Sequence, residues 1–572
     1  MKLRTSFCNP TALKKDITRF APSWALYSVM LILTLFILAT EGSDYYRADA
    51  LVGHTTFMIV INLIYGYING QILFGDLFNT RHCNALHAMP LRRECWYMTH
   101  VIAGLLFSLV PNTIFALIAL PLLGTGSMMA IYWLAAVTLQ YLFFFGLAVC
   151  SALCVGNRFA MALVYTITNF LSMIIYVLYY NLYQPLLEGV EVSEEVAYRF
   201  CPVVQMMTEE NILMEVIHNN SEVAAERKVA QLVMGDGWGY LAICAVIGVA
   251  LMCLALALYR RRKLETAGDF MALKALEPVF LVLYTMALVV FFYVFGILFE
   301  MDYIFMGVGV LVGYFTGRML LMRTTRVFQP KAFLWLAVFV AVLVVSLLVT
   351  AADPLGLSKR IPARAEVEQV RVSTSYNPQY GNEPFLTETE DIELARKMHR
   401  MILDGQGENE SDDMSFVNLS FLYELKNGTT LIRSYRVEIQ SPVGVMYGEL
   451  GSRPEFVLGT DDVDTFMEDM YNVHVSLYNT DMGGDIAVSG NEELVRGLAE
   501  ALMADCEAGK MNQNWNYQNQ RNEDAQSLGW LEFNYRTQDG VYRHVALEIY
   551  DDADHTAAYL KEYREIIQNK IG

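Results

Sequence analysis

Three signatures of self-contained chemistry are missing from this chain: it has no G-x-x-x-x-G-K-[ST] loop, no H-E-x-x-H pair and no G-x-S-x-G turn. Nucleotide hydrolysis on a phosphate loop, zinc-peptidase chemistry and α/β-hydrolase chemistry by those routes are therefore excluded. Glu507-Ala508-Gly509-Lys510 holds a Gly-Lys pair without the earlier glycine or the following hydroxyl. Carboxylates are nearly absent from the long apolar runs; Glu41, Asp76, Glu300 and Asp302 stand only at their ends. A proton relay of buried acids, and ion-coupled transport built on one, has nothing to use. Cysteine is sparse as well, and of the nine only Cys201 and Cys506 fall in segments expected outside a membrane, which gives no disulfide framework.

What the chain has in quantity is apolar residue, 55% of 572, in uninterrupted runs rather than in alternation. Nine runs are long enough to cross a hydrocarbon layer of roughly 30 Å: Pro22–Thr40, Val52–Phe74, Met98–Pro121, Met129–Cys154, Phe159–Tyr183, Trp238–Tyr259, Pro278–Phe299, Tyr303–Met322 and Ala332–Ala351. The first starts late and is too long for the apolar part of a cleaved signal peptide. Lysines and arginines set the orientation. Lys2, Arg4, Lys14, Lys15 and Arg19, then Arg81, Arg92 and Arg93, then Arg158, then Arg260–Lys263 and Lys274, then Arg323, Arg326 and Lys331 all fall on one side, which the positive-inside rule makes cytoplasmic. The expected topology is multi-pass, with the N-terminus cytoplasmic and everything after about Asp353 extracytoplasmic.

Charge divides at the same place. Residues 353–572 hold 39 acidic and 19 basic side chains, a net of −20 against −19 for the whole chain, so the remainder is almost neutral. An acidic outer domain argues against nucleic acid as a partner. That tail repeats itself. A strand at Val367–Ser373, a helix at Asp391–Leu403 and strands Phe416–Leu425 and Thr429–Ile439 joined by Asn427-Gly428 are echoed by Val473–Tyr478, Glu492–Cys506, and Trp530–Arg536 and Tyr542–Tyr550 joined by Asp539-Gly540. ELARKMHRMILDG answers ELVRGLAEALMADCEAG, and RVEI answers ALEI. Acidic helices are expected after each hairpin, at Asp461–Met470 and Asp554–Ile567. Asp461, Asp462, Asp464 and Glu468 match no twelve-residue calcium loop, and acids at a solvated helix start account for them. The fold expected is a polytopic α-helical membrane protein of about nine transmembrane helices with a C-terminal α+β extracytoplasmic domain containing a β-α-β-β-α duplication. Its parts are 1–260, 261–352 and 353–572.

Two kinds of polar feature remain. Asn62, Gly66, Asn69 and Gly70 share one face of the second run, and Asn169, Ser172, Tyr176 and Tyr180 share one face of the fifth. Such faces either hold helices together or line a polar path. Between the second and third runs lies RHCNALHAMPLRRECWYMTH, Arg81–His100. Cys83, His87, Cys95 and His100 stand in an order that zinc sites do not use. A short helix through Leu77–His87, capped by Asp76, stopped by Pro90 and lying under the bilayer, fits the stretch better.

GDLFNTRHCNALHAMPLRRECWYMTHVIAG resembles the segment between the second and third spans of ABC-2-type permeases, the membrane subunits of bacterial ABC transporters, and RRRKLETAGDFMALKALEPVF resembles permeases of this kind from Gram-positive anaerobes. The resemblance covers about residues 1–280. It implies a six-span core, a coupling helix at Asp76–His87, and a separate cytoplasmic ATP-binding subunit that holds ATP and Mg, so that this chain binds no cofactor and is no enzyme by itself. The contact with that subunit would involve Asp76, Leu77, Phe78, Arg81, Leu86, His87, Pro90, Arg92, Arg93 and Glu94, and the permeases would pair as a homodimer or heterodimer. Asn62, Asn69, Asn169, Ser172 and Tyr176 would then be candidates for the translocation path. The long loop Gln184–Gly237, helix-like over Val203–Met234, matches the one before the last core span. Three further spans and the duplicated domain depart from the family pattern. They keep open a membrane-anchored sensor whose outer domain binds a peptide or envelope component, and a membrane enzyme with an unrecognised site.

Overall fold

The computed structural model describes residues 8–571 except 43, 90, 125–126, 209–214, 217–231, 234–236, 375–382, 408–415, 459–462, 465–469, 478–483, 488–491, 511–526 and 537–541. Pro90, Asp461, Asp462, Glu468 and the Asp539-Gly540 turn lie outside the described residues. The chain divides into two units, Met1–Leu182 with Glu194–Val345, and Tyr183–Ser193 with Ser346–Gly572.

The first unit is helical. A short helix not expected from the sequence, α1 (Pro10–Arg19), starts where the Asn9 side chain accepts from the amides of Thr11 and Ala12. The long helices are α2 (Ala21–Thr40), α3 (Asp44–Leu73), α5 (Arg93–Leu122), α6 (Met128–Cys154), α11 (Trp238–Arg261), α12 (Glu277–Ile297), α13 (Asp302–Met322) and α14 (Pro330–Ala351). They correspond to eight stretches long and apolar enough to cross a membrane. The ninth expected span is broken: α7 (Arg158–Asn169) and α8 (Leu171–Leu182) meet at 61°. Between them and α11 lie α9 (Glu194–Arg199), α10 (Pro202–Thr208) and the paired strands β2 (Glu215–Val216) and β3 (Leu232–Val233). The helix expected over Val203–Met234 is thus corrected: its first turns form, and strands stand where it would continue.

Helix α6 sits at the centre, with Trp133, Tyr141, Phe144 and Phe145 fully buried among α3, α5 and α11. Its approach to α11 requires glycine on both sides, since a Cβ on Gly146 would lie 2.2 Å from the Gly248 carbonyl oxygen and one on Gly248 would lie 2.4 Å from that of Leu142. Without lipid-excluded hydrophobic force, such backbone contact is what holds apolar helices together. Gly309 and Gly313 of α13 press the same way on Val289 and Thr285 of α12.

The second unit contains two antiparallel sheets. The first is ordered β1 (Val190–Glu191), β6 (Thr430–Glu438), β5 (Phe416–Leu425), β4 (Val367–Ser373); the second is ordered β10 (Tyr542–Tyr550), β9 (Ser527–Arg536), β7 (Met470–Leu477), β8 (Gly484–Ala487). Strands β6-β5-β4 and β10-β9-β7 are the duplicated core. The helix α15 (Thr389–Leu403) covers one sheet and the helix Glu492–Glu507 belongs to the other. The β5–β6 turn uses Gly428 at φ 77°, as Asn-Gly hairpins demand. After the first hairpin come α16 (Pro442–Gly451), where the Ser441 hydroxyl accepts from the Gly444 amide and proline fixes the first turn, and α17 (Pro454–Val457); most of the expected acidic helix Asp461–Met470 lies outside the described residues, and Val463 and Asp464 within it are helical. Met470 itself begins a strand. The unit also takes in Tyr183–Ser193, which a boundary at residue 353 leaves out.

Candidate functional site

The stretch between α3 and α5 folds as two pieces. Gly75–Phe78 forms one 3₁₀ turn and α4 (Thr80–His87) follows it. The cap is Asn79, whose side chain accepts from the Arg81 amide at 2.9 Å; Asp76, the expected cap, instead sits 3.4 Å from the His82 ring and 3.7 Å from Arg19. Asparagine prevails because its carbonyl is one residue before the first helical amide pair, whereas Asp76 lies inside the tighter turn.

Helix α4 has two faces. Leu77, Phe78, Cys83 and Leu86 are buried, while Arg81, His82, Asn84 and Ala85 are exposed. The buried face is bound to the ends of three long helices. Arg262, just past α11, is itself buried and donates to the carbonyl oxygens of Ala152 (3.1 Å) and Leu153 (3.3 Å) at the end of α6 and of Leu77 (3.2 Å) ahead of α4. A cation there meets the negative end of the α6 dipole and satisfies carbonyls that have no amide of their own. Burial lowers the pKa of its guanidinium, with Cys83 and Tyr259 opposing that shift. Arg93 donates to the Arg262 carbonyl at 3.0 Å, Tyr97 to that of Met252 at 2.6 Å, and Glu94 pairs with Arg260 at 3.2 Å. The His87 ring lies between the Cys83 carbonyl (2.7 Å) and the Tyr259 hydroxyl (3.1 Å), and burial lowers its pKa and raises that of the Cys83 thiol.

Of the expected contact residues, Arg81 and Arg92 are exposed, Asp76, His87, Arg93 and Glu94 are half-buried, and Leu77, Phe78 and Leu86 are interior. Arg93, Glu94 and His87 therefore brace the helix from within the chain. Sequence reading missed Arg262; the signal for it was one arginine among Arg260–Arg262 whose spacing from the apolar run differed by a single residue. Of the four residues weighed as zinc ligands, Cys83 and His87 approach each other at 3.8 Å while His100 meets Asp16 of α1 at 2.8 Å, and among the described residues no three metal-ligating side chains converge.

The polar faces are interhelical. Asn62 donates to the Val137 carbonyl at 3.3 Å and to Gln140 at 3.1 Å, and Asn69 donates to the Tyr141 hydroxyl at 2.9 Å and accepts from Ser23 at 3.0 Å. Tyr141 in turn donates to the Gly104 carbonyl at 2.8 Å. The bonds of Asn69 tie α2, α3, α5 and α6 together and those of Asn62 add a second tie between α3 and α6, with both asparagines fully buried. Asn169 is buried at the α7–α8 break and donates to its own Tyr165 carbonyl at 2.9 Å; Ser172 and Tyr176 are half-buried beyond the break. Asn62 and Asn69 thus each tie α3 to α6 through their own bonds, and Asn169, Ser172 and Tyr176 stand outside both sets.

No family model, curated protein or solved structure matches this chain.

Proposed function

We propose that the chain is the membrane-spanning permease subunit of an ABC-2-type transporter, moving a substrate such as a peptide or lipid-like molecule with ATP hydrolysed, with Mg, in a separate cytoplasmic ATP-binding subunit. The observation that carries this reading is α4: a short helix with one exposed polar face, whose other face is pinned through Arg262, Arg93 and His87 to the ends of α5, α6 and α11. A push on the exposed face is transmitted to three spans at once, because carbonyls and guanidinium form a rigid link rather than a greasy one. In this reading the N-terminus and α4 are cytoplasmic, the second unit is extracytoplasmic, and two permeases pair. Asn62 and Asn69 hold the bundle together, so a path for substrate runs elsewhere than through their seam.

The test is co-purification with the ATP-binding subunit expressed from the same strain. Charge reversal at the exposed positions, Arg81→Glu with Arg92→Glu, is expected to lower recovery of that subunit at least about tenfold while the chain still inserts, as expected for loss of exposed charge contacts at a docking face. Cys83→Ser should leave recovery within about twofold, since a hydroxyl replaces the thiol without changing the exposed face. Equal recovery from the parent and the charge-reversed chain would remove the coupling role.

A further inference from the structure

The last two long helices of the first unit carry a group of cations with almost no acid to meet them. Between Asp302 and Asp353 the sequence has Arg318, Arg323, Arg326 and Lys331 and neither aspartate nor glutamate. Arg323, just past α13, pairs with Asp269 at 3.2 Å, and among the described residues no carboxylate pairs with the other three. Arg318 lies one turn before the end of α13, and its guanidinium meets only neutral groups. Nη1 donates to the Tyr314 hydroxyl at 3.0 Å, Nη2 lies 3.9 Å from the Met322 sulfur, the Tyr314 ring centre is 5.7 Å away, and Nε is buried without a partner. The Tyr314 hydroxyl donates in turn to the Ala332 carbonyl at 2.9 Å, so one hydroxyl separates the guanidinium from the first turn of α14. Phe315 fixes the connection between the helices, with ring centres 4.8 Å from Phe328 and 5.2 Å from Phe333. Phe328, Leu334 and Trp335 beside it are more than half exposed. A guanidinium at the margin of a hydrocarbon layer requires an anion or water against its charge.

We propose that Arg318 and Lys331 hold the phosphate of an anionic phospholipid whose acyl chains lie along the exposed sides of α13 and α14. The occupant has to be anionic at one end and apolar at the other, because the unpaired cations adjoin the exposed Phe328, Leu334 and Trp335. A soluble anion or an acidic peptide would leave that apolar surface uncovered. The guanidinium suits a phosphate: Nη2 takes an oxygen while Nη1 stays on Tyr314, and the charge makes the bond a strong one. A zwitterionic lipid brings its own cation to the same place and gains less, so the site selects for net negative headgroups. The lipid also has a structural task. Side chains seat α14 weakly, since of its residues only Ala332 and Leu336 are buried, and a phosphate shared by Arg318 and Lys331 fastens its first turn to α13. The proposal requires that α13 and α14 cross a bilayer, as their length and hydropathy allow, and needs nothing from the transport reading.

The experiment reads the fluorescence of Trp335, one turn beyond Lys331. The full-length chain is placed in vesicles of phosphatidylcholine and phosphatidylglycerol with bromine on the acyl chains of one lipid or the other, and the emission lost in Trp335→Phe isolates this residue. Quenching by brominated phosphatidylcholine shows only that Trp335 faces a bilayer, so it checks insertion of every variant; the ratio between the lipids tests the site. Phosphatidylglycerol should be preferred at least about fivefold, the effect of one cation near a charged headgroup. Arg318→Gln should bring the ratio to within about twofold of unity and Lys331→Gln should lower it about twofold or more, whereas Arg261→Gln, which removes an exposed cation at the end of α11, should leave it unchanged. The preference should persist in 1 M salt, where charges beyond roughly 3 Å are screened, and in excess inorganic phosphate. Equal quenching by the two lipids, or a ratio indifferent to Arg318→Gln, would mean that Arg318 reaches only for water. Loss to salt, or an equal loss with Arg261→Gln, would mean diffuse attraction, and displacement by inorganic phosphate would mean a site for the free ion. Each of these overturns the proposal, and Lys331→Gln, on the exposed side, decides in the same way if Arg318→Gln does not insert.

Discussion

The two repeats of the second unit share a frame and differ in how they fill it. In the first, His399 of α15 is fully buried, held between the hydroxyls of Tyr423 (3.2 Å) and Tyr435 (2.9 Å) and stacked on Phe421. At the corresponding place in the second repeat stands Ala499, buried among Val495, Leu498, Leu502 and Met503. One core is closed by a polar and aromatic lock, the other by small aliphatic contacts. The sheets follow the same division, since the first has the distant strand β1 laid beside β6 and the second, in its strand order among the described residues, ends at β10. Duplication preserved the strand and helix order, while side chains close the two cores by different contacts. Buried polar networks that are fully satisfied specify one arrangement, which aliphatic packing does less strictly.

The sharpest way to break that contrast is at Gly189. Its φ is 70°, and a Cβ added there would lie 2.1 Å from the Tyr435 ring, which cannot retreat without releasing His399. Gly189→Val should cost the first repeat more than about 3 kcal/mol, combining left-handed strain with a steric clash. Amide exchange at Ser434 should rise sharply while exchange along β9 stays as it was. If Ser434 stays protected, β1 is not what secures the first sheet. The same logic sets the boundary of an excised domain: residues 366–572 alone lack β1, and joining 183–193 to them should raise solubility.

Next in size is His399→Ala, which converts the first core toward the second and orphans two buried hydroxyls; the expected loss is about 3 kcal/mol. Burial, with Arg433 nearby, lowers the His399 pKa from 6.5 to about 3. The unfolded chain therefore takes up a proton below pH 6.5 that the folded repeat refuses, so stability falls as pH drops through this window, by about 3 kcal/mol at pH 4. Denaturant melts followed by exchange in β5 and β6 should show this decline in the parent and its absence in His399→Ala. An identical pH profile for both chains would place the acid sensitivity in other groups.

Local signals carried most of what the sequence revealed. Asn427-Gly428 announced the hairpin, and the spacing of Leu394, Met398, Met401 and Ile402 announced a helix that ends at Leu403 as expected. The membrane spans were legible from run length alone, apart from the 61° break after Asn169, where Asn169-Phe170 interrupts no apolar pattern. What escaped were long-range pairings: β1 on β6, Arg262 under α4, His100 on Asp16. Two extended residues or one arginine have no periodicity, and their partners are set by tertiary closure. The cap of α4 escaped for a different reason, since Asn79 and Asp76 are both good caps and only the intervening 3₁₀ turn decides between them.

The smallest expected effect concerns how each repeat starts the helix after its hairpin. The first does so locally: Ser441 caps α16 through the Gly444 amide, 3.1 Å away and three residues on. The second borrows its cap. Asp505, fully buried near the end of the helix Glu492–Glu507, accepts from the amides of His555 (3.1 Å) and Thr556 (2.7 Å) at the start of the helix Asp554–Ile571. A charged acceptor facing two amides at the positive end of a helix contributes more than a neutral hydroxyl facing one, so Asp505→Ala should cost about 2 kcal/mol and Ser441→Ala about 1. The two also differ in reach. Loss of Ser441 should loosen only the first turn of α16, whereas loss of Asp505 should release Asp554–Ile571 from Glu492–Glu507 and raise exchange in both helices together. Asp505→Asn, which keeps one carbonyl acceptor but loses the charge, should fall between. If Asp505→Ala disturbs only the first turn of the last helix, that helix holds by its apolar face alone, and the second repeat is closed as locally as the first.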